Sequence, residues 1–117
     1  DQPHMRVPVT MARLDSLSPP STGLLKIDVE GHERAMIEGA AELIARDKPT
    51  LIVEIEERHT GRPLDEDLDY IESLGYRTFV LLRGRLCGRQ VLADGAGTRV
   101  KGAKQHGINN FIFLPKD

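Results

Sequence analysis

The stretch from Leu24 to Ala40, LLKIDVEGHERAMIEGA, decides the fold, because it is typical of a buried strand that turns into a helix. Its first residues, LLKIDV, form a nearly continuous apolar run, which is typical of a parallel strand covered by helices on both faces. Gly31 then permits a sharp turn, and Glu33 suits the first turn of a helix because of the helix dipole. One face of the predicted helix carries the apolar residues Ile37, Ala40, Ala41 and Ile44.

The far end of the predicted strand, Leu24 to Glu30, is acidic. Side chains alternate along a strand, so Lys26, Asp28 and Glu30 share one side, and the two carboxylates lie at the carboxyl end. In open α/β sheets this end borders the crevice that binds ligands. A site role for Asp28 is therefore favoured over an ion pair with Lys26 or helix capping, while for Glu30 the two interpretations are even.

A second strand, Thr50 to Glu57, has the sequence TLIVEIEE and is also interpreted as a central parallel strand. Glu54, at its end, either faces the crevice or neutralises Lys26 in a buried ion pair, and both roles have equal weight. His59 follows the strand and is a candidate general base, because the unperturbed pKa of a histidine side chain lies near neutrality. A solvated loop histidine is slightly favoured.

His32 and Glu33 have the residue types of a divalent-metal site near Asp28 and Glu30. Successive residues at a helix start point to different sides, however, so an exposed first turn is favoured. No metal site is predicted.

The remaining pattern indicates an α/β layer domain with strands and helices in alternation. Right-handed crossovers make the first three strands of this sheet parallel neighbours, while the last strand, which follows a loop, pairs antiparallel. The further predicted elements are a short strand at Met5–Leu14, a helix from Leu64 to Leu74 stopped by Gly75, a strand at Tyr76–Leu82, a mobile glycine-rich loop at Arg83–His106 with a turn at Arg83-Gly84, and the strand Ile108–Leu114.

Length and composition limit the function. A chain of 117 residues, 39% hydrophobic, is expected to form one domain. The net charge of −2 and the pI near 6.1 disfavour a nucleic-acid partner. The longest apolar runs are strand-sized and the first residues lack the apolar core of a signal peptide, so neither a membrane span nor secretion is predicted, and the expected setting is the cytoplasm. Cys87 is the single cysteine.

Several segments together resemble the FkbM family of S-adenosylmethionine-dependent methyltransferases. They are VPVTMARLDSL, KIDVEGHE, LIVEI with a histidine shortly after it, and the terminal NNFIFLP. The resemblance implies the carboxyl-terminal half of a Rossmann-like class I methyltransferase sheet, mostly parallel with an antiparallel last strand. It also implies S-adenosylmethionine as cofactor and a hydroxyl of a small molecule, sugar or lipid head group as methyl acceptor.

Within that resemblance the candidate residues acquire roles. Asp28, Glu54 and His59 are the predicted catalytic residues, and Asp28 and Glu30 are the residues predicted to contact the cofactor. The sequence departs from the family in two features of the cofactor site. No G-x-G pattern lies between a strand and a helix, and the acidic residue that binds the ribose in the family is absent as well. The pair Gly95 and Gly97 has no predicted helix after it.

We therefore expect residues 1–117 to form a single, partial methyltransferase domain. Alone, it is expected to bind S-adenosylmethionine weakly or not at all and to be inactive. The alternative is a non-catalytic interaction module derived from a methyltransferase. A third hypothesis, a hydrolase with a metal held by Asp28, Glu30 and His32, requires metal in the purified protein.

A partial sheet also leaves the strand Leu24 to Glu30 without a neighbour on one side. An apolar edge strand invites pairing with another chain, so the sequence predicts a homodimer through this edge unless Met5–Leu14 covers it. The expected hydrogen-bonding residues of the edge are Leu25, Ile27 and Val29.

Overall fold

The computed structural model describes residues 3–93 and 108–117, which form an α/β structure with a five-stranded mixed sheet. The strands are β1 (Leu24–Ile27), β2 (Thr50–Glu54), β3 (Tyr76–Leu82), β4 (Arg85–Gly88) and β5 (Asn110–Pro115). The α-helices are α1 (Glu33–Glu38), α2 (Ala41–Asp47), α3 (Glu57–Thr60), α4 (Leu64–Glu72) and α5 (Gln90–Ala93), and a 3₁₀ turn covers Leu14–Leu17.

The strand order is β1-β2-β5-β3-β4. β1 and β2 are parallel neighbours, and β5 runs antiparallel to both β2 and β3, which confirms the predicted antiparallel last strand. The prediction that β2 and β3 are neighbours is wrong, because β5 lies between them. Of the four pairings among the described strands, one is parallel, so a mostly parallel sheet is not confirmed.

A hairpin that the sequence did not predict joins β3 to β4. Arg83 and Gly84 have φ of 51° and 75°, the left-handed conformation that a tight two-residue hairpin turn requires. The turn at this dipeptide is therefore confirmed, while β4 occupies residues that were expected to be a loop. The glycines that indicated a mobile segment, Gly95, Gly97 and Gly102, lie outside the described residues.

One row of side chains marks the buried face of the sheet. Ile27 lies beside Val53, Val53 beside Phe111, and Phe111 beside Val80 in the strand register, and all four are at most 2% exposed. The helices add their own buried side chains to this core, among them Ile37, Leu43, Ile44, Leu68 and Ile71.

The opposite face of the sheet is less covered. Ile52, Ile112 and Phe79 occupy the next row across β2, β5 and β3, and each is half-buried. The prediction that the central strands are buried on both faces is therefore wrong for β2.

The first strand is shorter than expected and lies at the edge of the sheet. β1 ends at Ile27, so Asp28, Val29 and Glu30 belong to the turn that follows, and Leu24 is 55% exposed. Among the described residues β1 pairs with β2 alone. The edge position agrees with the sequence prediction, but a strand covered on both faces was also predicted, and that prediction is wrong because Leu24 and Lys26, on one face of β1, are exposed.

The predicted strand Met5–Leu14 is also wrong. Residues 3–13 have no regular structure, and Met5, Val7, Val9 and Met11 are 68–89% exposed. Alternating apolar residues form a strand only where a sheet edge accepts them, and Pro8 removes one donor from this segment.

The predicted helix after Gly31 is divided in two. Ile37, Ala40 and Ile44 are buried as expected, but Ala41 is exposed, because α1 ends at Glu38 and α2 starts at Ala41 in a new direction. The Asp15 carboxylate accepts hydrogen bonds from the N–H groups of Glu42 (2.8 Å) and Leu43 (3.0 Å), so the 3₁₀ turn supplies the cap that starts α2.

Candidate functional site

The turn between β1 and α1 is held by a buried carboxylate. The Glu33 side chain is 3% exposed and accepts hydrogen bonds from the N–H of Val29 (3.2 Å) and of Gly31 (3.0 and 3.1 Å). Glu30 and Gly31 adopt positive φ of 44° and 104°. The backbone therefore leaves the strand direction at Asp28 and folds back toward the start of α1.

The same turn packs against the segment that follows β2. A Cβ atom added at Gly31 would lie 2.6 Å from the carbonyl oxygen of His59, a distance that real Cβ atoms do not adopt. Only glycine fits this close approach. The carboxyl ends of β1 and β2, with the short helix α3, are thereby brought into one place.

Two of the predicted residues, Asp28 and Glu54, meet at these strand ends. The side chains of the half-buried Glu54 and the exposed Asp28 lie beside each other, because β1 and β2 are parallel and in register up to Ile27 and Val53. Burial, the neighbouring Asp28 and the negative charges of Glu56 and Glu30 raise the pKa of Glu54 above its ordinary value. The raised pKa favours the protonated form of the Glu54 carboxyl, which can donate a hydrogen bond.

A second group of side chains surrounds Glu56. Its carboxylate accepts hydrogen bonds from Asn109 Nδ2 (3.1 Å) and Arg58 Nη2 (3.1 Å), and its Oε2 lies 3.2 Å from Nδ1 of His59. The Asn109 hydrogen bond, followed by Arg58 and His59, holds the pKa of Glu56 below its ordinary value despite partial burial. Asn109 Nδ2 also lies 3.5 Å from Oε1 of Glu54.

These side chains form one row, in the order Asp28, Glu54, Asn109, Glu56 and His59. The row crosses from the end of β1 to the end of β2 and the residue before β5. A row with a carboxyl of raised pKa near one end and an imidazole at the other can orient a hydroxyl group and accept its proton.

The comparison with protein families gave one match. The model of the methyltransferase FkbM domain matches residues 1–78, about two thirds of the 117 residues. The chain belongs to the FkbM methyltransferase family. The comparisons found no match among curated proteins and none among solved structures.

The FkbM match covers the elements from the 3₁₀ turn through α4 and ends within β3. Asp28, Glu30, Glu54 and His59 all lie in this range. Asn109 lies beyond it, and sequence analysis missed both Asn109 and Glu56 as members of the site. The available signal for Asn109 was a polar pair, Asn109-Asn110, placed directly before an apolar strand.

Not every candidate residue of this FkbM chain joins the row. The predicted buried ion pair of Lys26 with Glu54 is wrong, because Lys26 is exposed and makes no ion pair with Glu54. Glu30 and His32 are exposed on the turn. Residues 3–93 and 108–117 contain no group of three or more His, Cys, Asp or Glu side chains that could hold a metal ion.

An apolar groove lies on the other side of the same turn. It has a volume of about 650 Å³, and its lining includes Met11, Leu17, Val29 and Met36. None of the carboxylates of the row lines it. In the part of the chain that the structure describes, no helix is long and apolar enough to cross a membrane.

Proposed function

We propose that this chain supplies the acceptor side of the crevice in an S-adenosylmethionine-dependent O-methyltransferase, whose acceptor is a hydroxyl of a small molecule, sugar or lipid head group. The proposal is carried by the position of Asp28 and Glu54, which lie together at the carboxyl ends of neighbouring parallel strands in a chain of the FkbM family. The antiparallel β5 beside β2 is in keeping with a Rossmann-like methyltransferase sheet.

In this proposal the acidic residues and His59 have separate tasks, and Asp28 takes part in two of them. Asp28 and Glu54 orient the acceptor hydroxyl, and His59 takes up its proton, because an imidazole is a suitable base near neutral pH. Much of the rate enhancement comes from holding the acceptor oxygen in line with the methyl group. Asp28 and Glu30 contact the cofactor side of the crevice.

The carboxylates of this chain suit one part of the cofactor, its positively charged sulfur. S-adenosylmethionine supplies an electrophilic methyl group on a positively charged sulfur, and carboxylates at the end of β1 favour a nearby positive charge. The glycine-rich turn between a strand and a helix, which holds the nucleotide end in the family, is absent from the sequence.

Cofactor binding by this chain alone is therefore expected to be weak. Calorimetry of the 117-residue protein with S-adenosylmethionine should give no saturable heat at micromolar concentration. A dissociation constant in the micromolar range would contradict this expectation.

The catalytic role of Asp28 is tested in a longer protein that contains this chain together with the glycine-rich part of the cofactor site. Asp28→Asn should lower methyl transfer from labelled S-adenosylmethionine on the order of 10²-fold, because the amide keeps the volume of the carboxylate and loses its charge. The free energy of unfolding should change little in comparison. If Asp28→Asn melts far earlier while activity per folded molecule is unchanged, the role of Asp28 is structural.

The second candidate is a non-catalytic interaction module derived from a methyltransferase. The coding sequence upstream of Asp1 separates the two candidates, since a strand followed by a glycine-rich turn there supports the enzyme. A homodimer through the β1 edge and a cytoplasmic setting remain predictions of the sequence.

A further inference from the structure

His59 is positioned by a contact of its imidazole ring and by contacts of its backbone. Its Nδ1 lies 3.2 Å from Oε2 of Glu56, and its side chain is 28% exposed, so a solute can still reach the ring. The backbone of His59 is fixed as well, because its carbonyl oxygen abuts Gly31 and its N–H donates to the carbonyl of Glu56 (2.9 Å).

Glu56 is in turn fixed by two donors on different elements. Asn109, before β5, donates to Oε1 (3.1 Å), and Arg58, in α3, donates to Oε2 (3.1 Å). The Glu56 side chain is 20% exposed, whereas Arg58 is 75% exposed. The hydrogen bond from Asn109 is therefore less accessible to solvent than the one from Arg58. Because Asn109 binds Oε1, Oε2 is the oxygen that contacts the imidazole.

We propose that Glu56 is a positioning residue that fixes His59 in the tautomer with a proton on Nδ1, and that Asn109 holds Glu56 in place for this. The unprotonated Nε2 is then the atom that accepts the proton of the acceptor hydroxyl. This inference rests on the proposed function. Neither Glu56 nor Asn109 touches the reacting atoms in it.

The physical reason is the donor inventory of a neutral imidazole. Such a ring carries one N–H and one acceptor nitrogen, and a carboxylate can only accept, so the nitrogen that faces Glu56 must carry the hydrogen. In the proton transfer the O–H bond of the acceptor breaks and an Nε2–H bond forms. The electron pair of the broken bond stays on the acceptor oxygen, and Glu56 stabilises the resulting imidazolium.

Nitrogen NMR of the imidazole side chains at alkaline pH tests the tautomer in the 117-residue protein itself. In the wild type, Nδ1 of His59 should have the shift of a protonated nitrogen and Nε2 that of an unprotonated one. His32, which is exposed and has no ion-pair contact among the described residues, is the internal reference for a solvated ring.

Three variants complete the experiment. Glu56→Ala should move the two nitrogen shifts of His59 to those of His32, Glu56→Gln should keep most of the wild-type pattern because its amide oxygen still accepts, and Asn109→Ala should lie between them. Unchanged amide spectra of β2 confirm the fold. An Nε2-protonated His59 in the wild type overturns the inference even if a variant fails to fold.

A shift pattern that is the same in Glu56→Ala and wild type overturns it too. Neither result depends on methyl transfer, so failure of the positioning role and failure of the proposed function are distinguishable. In an active complete protein, Glu56→Ala should lower kcat with little change in the acceptor KM, whereas a merely structural role would lower the amount of folded protein.

Discussion

At the scale of single residues, the site depends on one carboxylate that contacts no candidate catalytic group. Glu33 satisfies the N–H groups of Val29 and Gly31, and these hydrogen bonds turn the chain at the end of β1. The sequence pattern related Glu33 to the helix dipole alone. Its partly buried hydrogen bonds are a further reason for a glutamate here, because a donor that loses its partner away from water costs about 1–3 kcal/mol.

Glu33→Ala should therefore lower the free energy of unfolding by about 2–4 kcal/mol, since it leaves two N–H groups without a partner. Glu33→Gln keeps one acceptor oxygen and should cost less. Urea denaturation measures both changes. Glu38→Gln on the same helix, where the side chain is 58% exposed, is the matched control and should stay within about 0.5 kcal/mol of wild type. Equal effects of Glu33→Ala and Glu38→Gln would contradict this account.

The raised pKa of Glu54 makes a prediction about pH. The ordinary value is 4.5, and above it the folded protein holds a proton on Glu54 that the unfolded chain releases. This contribution to stability is fully present below pH 4.5 and is lost as the pH rises through the raised folded value. Glu54→Gln has no proton to lose, so its stability relative to wild type should increase from pH 4 to pH 7.

Urea unfolding of wild type and Glu54→Gln at both pH values measures the difference. Glu66→Gln, an exposed position on α4, controls for the loss of one negative charge. A wild type and a Glu54→Gln variant whose stabilities change in parallel with pH would show that folding does not raise the pKa of Glu54.

At the scale of elements, α2 depends on a residue far from it in the sequence. Asp15 lies in the 3₁₀ turn and caps the first N–H groups of α2. Asp15→Ala should lower the free energy of unfolding by about 1 kcal/mol, within the range for lost N-caps, and Asp15→Asn should restore most of it because asparagine caps equally well. Thermal and urea denaturation measure this. An Asp15→Asn variant as unstable as Asp15→Ala would exclude capping as the cause.

The elements also explain which predictions from sequence succeeded. β2, α4, β3 and β5 were predicted close to their observed bounds, because each has a continuous periodic pattern with its own stop signal, such as Gly75 after α4. β4 was missed, because four residues, Arg85–Gly88, are too few to show alternation. In residues 3–13 apolar and polar side chains alternate as in a strand, but this pattern does not indicate whether a partner strand is present.

Part of the candidate site was predictable from the sequence, as was part of the fold. Asp28 and Glu54 follow neighbouring parallel strands, so their proximity follows from the βαβ pattern alone. Asn109 reaches Glu54 and Glu56 only because β5 inserts beside β2, across 55 and 53 residues of sequence, respectively. Sequence spacing carries no information about that insertion. The division of α1 from α2 likewise depends on Asp15, 26 positions before the start of α2.

At the scale of the whole molecule, β1 presents a sheet edge whose orientation can be worked out. The N–H of Thr50 donates to the carbonyl of Gly23 (2.9 Å), so Gly23 faces β2. Because backbone groups alternate along a strand, Leu25 and Ile27 also face β2, and the groups of Leu24 and Lys26 point outward. The predicted edge residues Leu25, Ile27 and Val29 are therefore wrong.

The described part of the chain also exposes apolar side chains outside β1, among them Met11, Leu17 and Val29, which are 39–89% exposed. The β1 edge favours pairing with a second chain, although its short length and the exposed Lys26 limit the affinity. We expect the average mass by light scattering to rise with concentration.

The β1 edge can be tested with two proline variants, because proline removes the backbone N–H at either of two adjacent positions. Leu24→Pro removes an outward donor at the first residue of the strand, where proline is tolerated, and should give a stable monomer. Leu25→Pro removes a donor that faces β2 and should lower the free energy of unfolding instead. A wild type that is monomeric at every concentration, or a Leu24→Pro variant that associates as strongly as wild type, would show that the β1 edge does not mediate association.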